Sequence, residues 1–211
     1  KSGLPILYIN TPNEAEIPNK FQDWLADCEM QLCNSDGSID YEGTTNIRGR
    51  GNSTWNYAKK PYALKLDSKA SLLGMPKHKR WVLLANYLDR TLLRNRIAFY
   101  ISTLTDLAWT PRGQYVELVL NGKHKGSYYL CEQIKIDENR VNIREMESTD
   151  TIGEALTGGY LLELDKNYDE VNKFRSHIQD LPYMIKEPDE DALSAQQFDY
   201  IQSYITNFEN E

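Results

Sequence analysis

The sequence has no long hydrophobic run, few cysteines and few histidines. A membrane-spanning helix needs about 20 consecutive apolar residues, and no stretch of the chain approaches that length, so we expect no membrane span. The three cysteines, Cys28, Cys33 and Cys131, and the three histidines lack the paired spacings of a metal site. We therefore predict no metal-binding residue and three half-buried thiols, with a Cys28–Cys33 disulfide as the alternative.

Acidic residues outnumber basic ones, with 31 Asp and Glu against 24 Lys and Arg and a net charge of −7. This balance argues against general nucleic-acid binding. The positive charge is unevenly distributed, however, because residues 48–65 contain five basic side chains and no acidic one. A locally basic segment on an acidic protein favours a small anionic ligand over a duplex.

Alternating apolar residues bounded by turn residues predict many β-strands. Strands are expected over residues 4–9, 27–33, 41–48, 62–66, 81–85, 115–120, 127–134, 158–165 and 183–186. One helix is predicted to begin at Asn86 or Asp89, as a cap, and to reach Leu104, and a second helical pattern covers residues 192–208. The predicted class is α+β, with a largely antiparallel sheet and a few packed helices, in a single domain over residues 1–211.

The segment from Ile47 to Leu66 is the strongest candidate for a binding site. It reads Ile-Arg-Gly-Arg-Gly-Asn-Ser-Thr-Trp and, after a short gap, Lys-Lys-Pro-Tyr-Ala-Leu-Lys-Leu. Glycines allow close backbone approach, and guanidinium and ammonium groups bind phosphate oxygens. We predict a polyphosphate site here, in which the lysine of the last strand binds phosphate. Its residues are Arg48, Arg50, Asn52, Ser53 and Lys65.

Purely structural roles remain open for these residues. The loop matches neither Gly-x-x-x-x-Gly-Lys-Ser/Thr nor Gly-x-Gly-x-x-Gly, so it also fits a β-bulge or a turn with structural arginines. Asn52 and Ser53 fit a turn cap, and Lys65 alternates with leucines and fits a surface position. Lys59 and Lys60 are alternative phosphate ligands that we expect in a solvated turn.

Acidic residues end two of the predicted strands. Glu132 is predicted either to anchor Lys65, as the lysine–glutamate pair of a kinase does, or to form a structural ion pair with Arg94 or Arg96. Glu163 and Asp165 alternate with leucines and so share one face of a strand. For these two carboxylates a solvated face is favoured over a metal site.

Several of these segments, in this order, resemble the CotH family, which is named for a spore coat protein. The resemblance rests on Arg-Gly-Asn-Ser-Thr-Trp with Lys-Lys-Pro-Tyr-Ala-Leu-Lys-Leu, on Leu-Leu-Ala-Asn-Tyr-Leu-Asp-Arg-Thr-Leu-Leu-Arg-Asn, on the hairpin that ends at Glu132, and on Gly-Gly-Tyr-Leu-Leu-Glu-Leu-Asp. It spans residues 3–189. The order and spacing of the motifs make it specific, whereas no single motif would.

The resemblance implies an atypical protein-kinase-like fold that binds ATP with a divalent metal such as Mg²⁺ and transfers phosphate to protein Ser or Thr. Family members phosphorylate coat proteins or serve as cell-surface adhesins, which implies an exported, extracytoplasmic bacterial protein. CotH proteins normally continue into an Asp-Phe-Asp-Trp-like segment that is thought to hold the metal. This chain ends at Glu211 without it, so we expect an incomplete, nucleotide-cradling part of the fold that is inactive alone.

Two other functions remain open. A surface adhesion module would use exposed aromatics among the 14 tyrosines and four tryptophans. A degenerate kinase-like fold would keep the architecture without catalysis. An adhesin would bind glycan or protein partners without responding to MgATP, so nucleotide dependence separates it from a phosphotransferase.

Overall fold

The computed structural model describes residues 2–189 and 192–211. The chain divides into two compact units, one formed by the residues up to Lys135 and one from Ile136 onward. None of the helices in the described residues is long and apolar enough to cross a membrane. The prediction of a single domain over residues 1–211 stays a prediction.

The first unit is a closed barrel of seven strands. The strands are β1 (Ile6–Asn10), β2 (Leu25–Cys33), β3 (Ile39–Gly49), β4 (Tyr62–Leu72), β5 (Met75–Leu84), β6 (Gly113–Leu120) and β7 (Lys123–Glu132). Their order around the barrel is β1-β2-β3-β4-β5-β7-β6. The neighbours pair antiparallel, except that β1 and β6 pair parallel and close the barrel.

Alternation along the strands fills the barrel with apolar side chains. On β4 the side chains of Leu64 and Leu66 are buried inside, and so are those of Trp81 and Leu83 on the neighbouring strand β5. The intervening residues point outward because successive strand residues face opposite sides. The outer side of the barrel wall is therefore where polar strand residues such as Lys65 lie.

A short helix, α1 (Arg94–Ser102), covers part of the outer wall. Phe99 packs there against a small outer cluster that includes Val82, Tyr129 and Cys131. The predicted helix from residue 86 or 89 to residue 104 was too long at its start. Leu92 has a φ of +60°, a conformation that a right-handed helix cannot contain, so α1 begins two residues later.

The second unit combines a three-stranded sheet with two helices. Its elements are α2 (Gly153–Thr157), β8 (Leu161–Leu164), β9 (Lys173–Arg175), β10 (Pro182–Glu187) and α3 (Ala195–Asn210). The sheet order is β8-β10-β9, and both pairings are antiparallel. Ile201 and Ile205 of α3 bury themselves against Phe174 and Ile185 of the sheet. The helical pattern over residues 192–208 thus predicted α3 correctly.

The predicted α+β, kinase-like fold class is wrong. The described residues are mostly β, with a closed barrel, a small separate sheet and three short helices. The sequence pattern identified most strands, but it ended one strand at residue 66 and began the next only at residue 81. In the structure β4 extends to Leu72, and a tight turn with positive φ at Leu73 and Gly74 leads directly into β5.

Candidate functional site

Two cross-strand rows on the outer wall bring the predicted basic residues together. The first row consists of Arg48, Ala63 and Val82, and the second of Asn46, Lys65 and Arg80. Directly paired residues on neighbouring strands have Cβ atoms about 5 Å apart and share one face of the sheet. Three cationic side chains from β3, β4 and β5 thus lie on one patch of the outer wall.

Trp24 joins the two arginines of this patch. The guanidinium carbon of Arg48 lies 4.5 Å from the centroid of the Trp24 ring, and that of Arg80 lies 4.9 Å from it. These distances are typical of cation–π contacts. The aromatic ring therefore orients both guanidinium groups. We call Trp24, Arg48, Lys65 and Arg80 the cationic face.

Lys65 differs from the two arginines because its ammonium group has no hydrogen-bond or ion-pair partner among the described residues 2–189 and 192–211. Its side chain is half-buried. Asp67, two residues further along β4, accepts a hydrogen bond from the Thr44 hydroxyl instead. Lys65 therefore adds positive charge to the cationic face.

Arg50 lies at the end of the barrel, in a pocket of about 230 Å³. This loop pocket is bounded by the arginine–glycine loop on one side and by the turn before α1 on the other. Its polar lining residues are Arg50, Thr54, Lys59, Asn86, Asp89, Arg94 and Asn95. Tyr57 and Tyr87, which also line it, stack with ring centroids 5.4 Å apart.

Lys59 does not lie in a solvated turn as predicted. Its ammonium donates to the carbonyl of Ser127 and lies 4.5 Å from the ring centroid of Tyr128. Burial lowers the pKa of Lys59, because the charged form loses hydration. The Lys59 ammonium thus already interacts with β7 of the barrel, and we therefore expect it to be a weaker phosphate ligand than Lys65.

The N-cap position of α1 is Leu93 and not the predicted Asn86 or Asp89, but the Asp89 carboxylate still binds the first N–H of the helix. Its Oδ2 accepts a hydrogen bond of 2.8 Å from the backbone N–H of Arg94, the first residue of α1, and its Oδ1 accepts one of 2.6 Å from the Thr91 hydroxyl. The hydrogen bonds from Thr91 and Arg94 lower the pKa of Asp89. Asn86, the other predicted cap, accepts from the side chain of Asn95.

Asn52 and Ser53 lie at the start of the loop turn that follows β3 and are not on a barrel strand. The side-chain Oδ1 of Asn52 accepts a hydrogen bond from the Lys20 ammonium, and this side chain does not cap the short 3₁₀ turn Ser53–Asn56. Ser53 is exposed at the start of that turn. Of the five predicted phosphate ligands, the structure places Arg48 and Lys65 on one face and Arg50 in the loop pocket.

Glu132 forms a buried ion pair with Arg112 instead of pairing with Lys65. The guanidinium donates through Nε at 3.0 Å and Nη2 at 2.9 Å, and the backbone N–H of Arg112 adds a third bond at 2.9 Å. The carboxylate is fully buried, whereas the Arg112 side chain is 44% exposed. The predicted Lys65–Glu132 pair is therefore wrong, and neither Arg94 nor Arg96 takes this structural role.

The paired carboxylates of the second unit also have local partners. Glu163 lies 3.5 Å from the Lys186 ammonium, which also contacts Glu170. Asp165 accepts a hydrogen bond from the backbone N–H of Asn167. No group of three or more His, Cys, Asp or Glu side chains that could hold a metal occurs within the described ranges 2–189 and 192–211.

All three cysteines are free thiols, which excludes the alternative of a Cys28–Cys33 disulfide. Both residues lie on β2, where Cys28 is buried in the barrel and Cys33 is partly exposed. Burial, followed by the nearby charge of Asp27, raises the pKa of Cys28 to about 11. The Cys28 thiol is accordingly protonated near neutral pH and packs as a small apolar group.

Sequence comparison supports the resemblance that these motifs suggested. The family model described as CotH kinase protein matches residues 47–211, so the chain belongs to the CotH family. No curated protein matches the chain. The family match begins at Ile47 and thus includes Arg48, Lys65 and Arg80 of the cationic face, whereas Trp24 precedes it.

Trp24 and Arg80 are the members of the cationic face that sequence reasoning missed. Arg80 lies just before the predicted strand 81–85, and Trp24 lies outside every predicted strand and helix. Extending the alternation of Trp81 and Leu83 backward along β5 would have placed Arg80 on the outer wall. No local signal connects Trp24 with residues on β3 and β5.

Proposed function

We propose that this CotH-family chain binds ATP and orients it for a kinase-type reaction, in which a divalent metal assists the transfer of phosphate to Ser or Thr of a protein. The observation that carries the proposal is the cationic face, where Arg48, Lys65 and Arg80 meet across three neighbouring strands. Guanidinium and ammonium groups are the side chains that bind polyphosphate most strongly. Family membership supports the same activity.

The residues present fit the chemistry of a nucleotide. Arg48, Lys65 and Arg80 would hold the phosphates, and Arg50 would extend this positive region towards the loop pocket. Ala63 and Val82, which continue the Arg48 row across β4 and β5, are buried apolar residues of the same face. Bound ATP would supply the phosphoryl group.

The carboxylates of this chain give less support for the divalent metal than the basic residues give for the nucleotide. Glu163, Asp165 and Glu170 already bind Lys186 or the adjacent turn. The contribution that we assign to this chain is therefore to bind and orient the nucleotide. The positive face neutralises phosphate charge, and the Trp24 ring fixes the direction of two guanidinium groups.

Two further features belong to the proposal. We infer an extracytoplasmic location, because the CotH family includes exported and surface proteins. The phosphate acceptor is then another protein of the same compartment. The three free thiols neither favour nor oppose this location.

Titration calorimetry with ATP, in the presence and absence of Mg²⁺, tests the binding. The chain is expected to bind ATP, and Lys65→Ala is expected to weaken binding about tenfold by removing one charge-assisted contact. Lys125→Ala is the matched control, because Lys125 is exposed on β7 away from the cationic face. Incorporation of labelled γ-phosphate into added protein then tests transfer.

The outcomes separate the candidate functions. ATP binding that depends on Lys65, followed by transfer, supports a phosphotransferase. ATP binding without transfer in a chain that includes the Asp-Phe-Asp-Trp-like segment of the family supports a degenerate fold. A folded protein that binds no nucleotide in either form contradicts the proposal and favours an adhesion module.

A further inference from the structure

A second, larger cavity lies in the barrel unit and shares no lining residue with the loop pocket. Its volume is about 930 Å³. One wall comes from the turn Leu73–Pro76 between β4 and β5, another from α1, and a third from residues 110–115 leading into β6. None of the residues of the cationic face lines it. We call this cavity the rim cavity.

The rim cavity has an aromatic wall. Phe99 and Tyr100 of α1 line it together with Tyr115 and Tyr129 of the barrel. The Tyr115 and Tyr129 rings lie 4.9 Å apart, and those of Phe99 and Tyr129 lie 6.2 Å apart. Rings packed at these distances support each other. The wall is therefore preformed and suits an apolar or aromatic body.

The charged residues of the rim cavity are all of one sign. Arg96 and Arg112 line it, and its lining contains no Asp, Glu or Lys. Arg112 is held by Glu132, whose carboxylate largely compensates its charge. Arg96 is exposed, and its guanidinium makes one long hydrogen bond of 3.4 Å to the carbonyl of Gly113. Arg96 thus places positive charge beside an apolar cavity.

The barrel topology favours a small ligand over an extended peptide in the rim cavity. Peptides often bind by adding a strand to an open sheet edge. β6, which borders the rim cavity, already pairs with β1 on one side and β7 on the other. It offers no free edge. The volume also lies within the range of about 300–1,000 Å³ that is typical of small-molecule sites.

We propose that the rim cavity binds a small amphipathic anion, with an apolar chain or ring against the aromatic wall and a carboxylate or similar group on Arg96. This site is separate from the proposed nucleotide site and does not depend on it. MgATP and the amphipathic anion should therefore bind independently, each with the same affinity whether or not the other is bound.

Dodecanoate and dodecan-1-ol, both below the concentration at which they aggregate, are the probes. They share an apolar chain and differ in the charge of the head group. Calorimetry should show dodecanoate bound at one site per chain, about tenfold more tightly than the alcohol. Equal affinity for the two probes, or no binding of either, would overturn the proposal.

Three variants locate the site. Arg96→Gln should weaken dodecanoate binding about tenfold and leave the alcohol unchanged, since it removes one charge-assisted contact. Arg90→Gln is the matched control, because Arg90 is exposed before α1 and does not line the cavity. Thr103→Trp, at an exposed lining position, should block both probes.

The same variants distinguish failure of this proposal from failure of the proposed function. If Arg90→Gln weakens dodecanoate binding as much as Arg96→Gln, or if Thr103→Trp blocks neither probe while the protein remains folded, the anion binds elsewhere and the rim cavity proposal is wrong. ATP binding, measured on the same samples, is expected to be unchanged in all three variants.

Discussion

Lys65 and Glu132 lie on opposite faces of the same barrel wall. Lys65 pairs with Arg80 across β4 and β5, whereas Glu132 pairs with Trp81, the next residue of β5. Neighbouring residues of a strand face opposite sides, so the lysine points outward and the carboxylate points inward. The barrel wall therefore separates the outer cationic face from the buried Glu132 carboxylate.

The Arg112–Glu132 pair should respond asymmetrically to substitution. Arg112→Ala leaves a carboxylate fully buried without its partner, which is expected to cost about 3–5 kcal/mol of unfolding free energy. Glu132→Gln leaves a half-exposed guanidinium that water can solvate and should cost about 1–3 kcal/mol. Urea unfolding of both variants measures the difference. A larger cost for Glu132→Gln would contradict this account.

Asp89 should make stability depend on acid pH. Its hydrogen bonds with Thr91 and Arg94 lower its pKa in the folded protein. Its contribution is therefore present above the unfolded-state pKa of about 3.9 and is lost as the pH falls through the lower folded-state value. The stability difference between wild type and Asp89→Ala should shrink below about pH 4. Asp23→Ala, at an exposed carboxylate, is the control.

Gly49 is expected to be intolerant of any side chain. A Cβ at this position would lie 2.5 Å from the Trp55 ring. Gly49→Ala must displace Trp55 and the arginine–glycine loop, at a cost of about 1–3 kcal/mol. Gly158→Ala, where a Cβ meets nothing within 4 Å, should be nearly neutral. Thermal unfolding and the near-ultraviolet circular dichroism of the tryptophans report both effects.

Local patterns predicted most strands but not the closure of the barrel. Alternation located β3, β6 and β7, and Asn121-Gly122 marked the turn between the last two. The barrel closes because β1 pairs with β6, for example Ile6 with Glu117. Residues so far apart in sequence carry no local signal of pairing. The fold class was wrong for this reason.

The candidate site, like the fold, was predicted only in part from the sequence. The arginine–glycine loop and Lys65 were identifiable because basic residues without acidic neighbours predict an anion site. The partner of Glu132 was not, since Arg112 reaches it only through the pairing of β6 with β7. Trp24 joins the cationic face through the same kind of non-local contact.

The cap of α3 provides a test of the second unit. Ser194 accepts from the backbone of Gln197, and Gln197 accepts from the backbone of Ser194. Ser194→Ala should therefore cost about 1 kcal/mol. Ser203→Ala, an exposed position inside the same helix, should instead stabilise by a few tenths of a kcal/mol, roughly the difference in helix propensity. Opposite signs of the two changes in denaturant unfolding would confirm the cap.

The central claim is that the nucleotide binds the outer cationic face and not the inner side of the wall. ATP affinity of Lys65→Ala and of Glu132→Gln, measured by calorimetry on folded protein, tests it most directly. Lys65→Ala should weaken binding about tenfold, and Glu132→Gln should leave the affinity unchanged. Weaker binding by Glu132→Gln with wild-type affinity in Lys65→Ala would contradict the account.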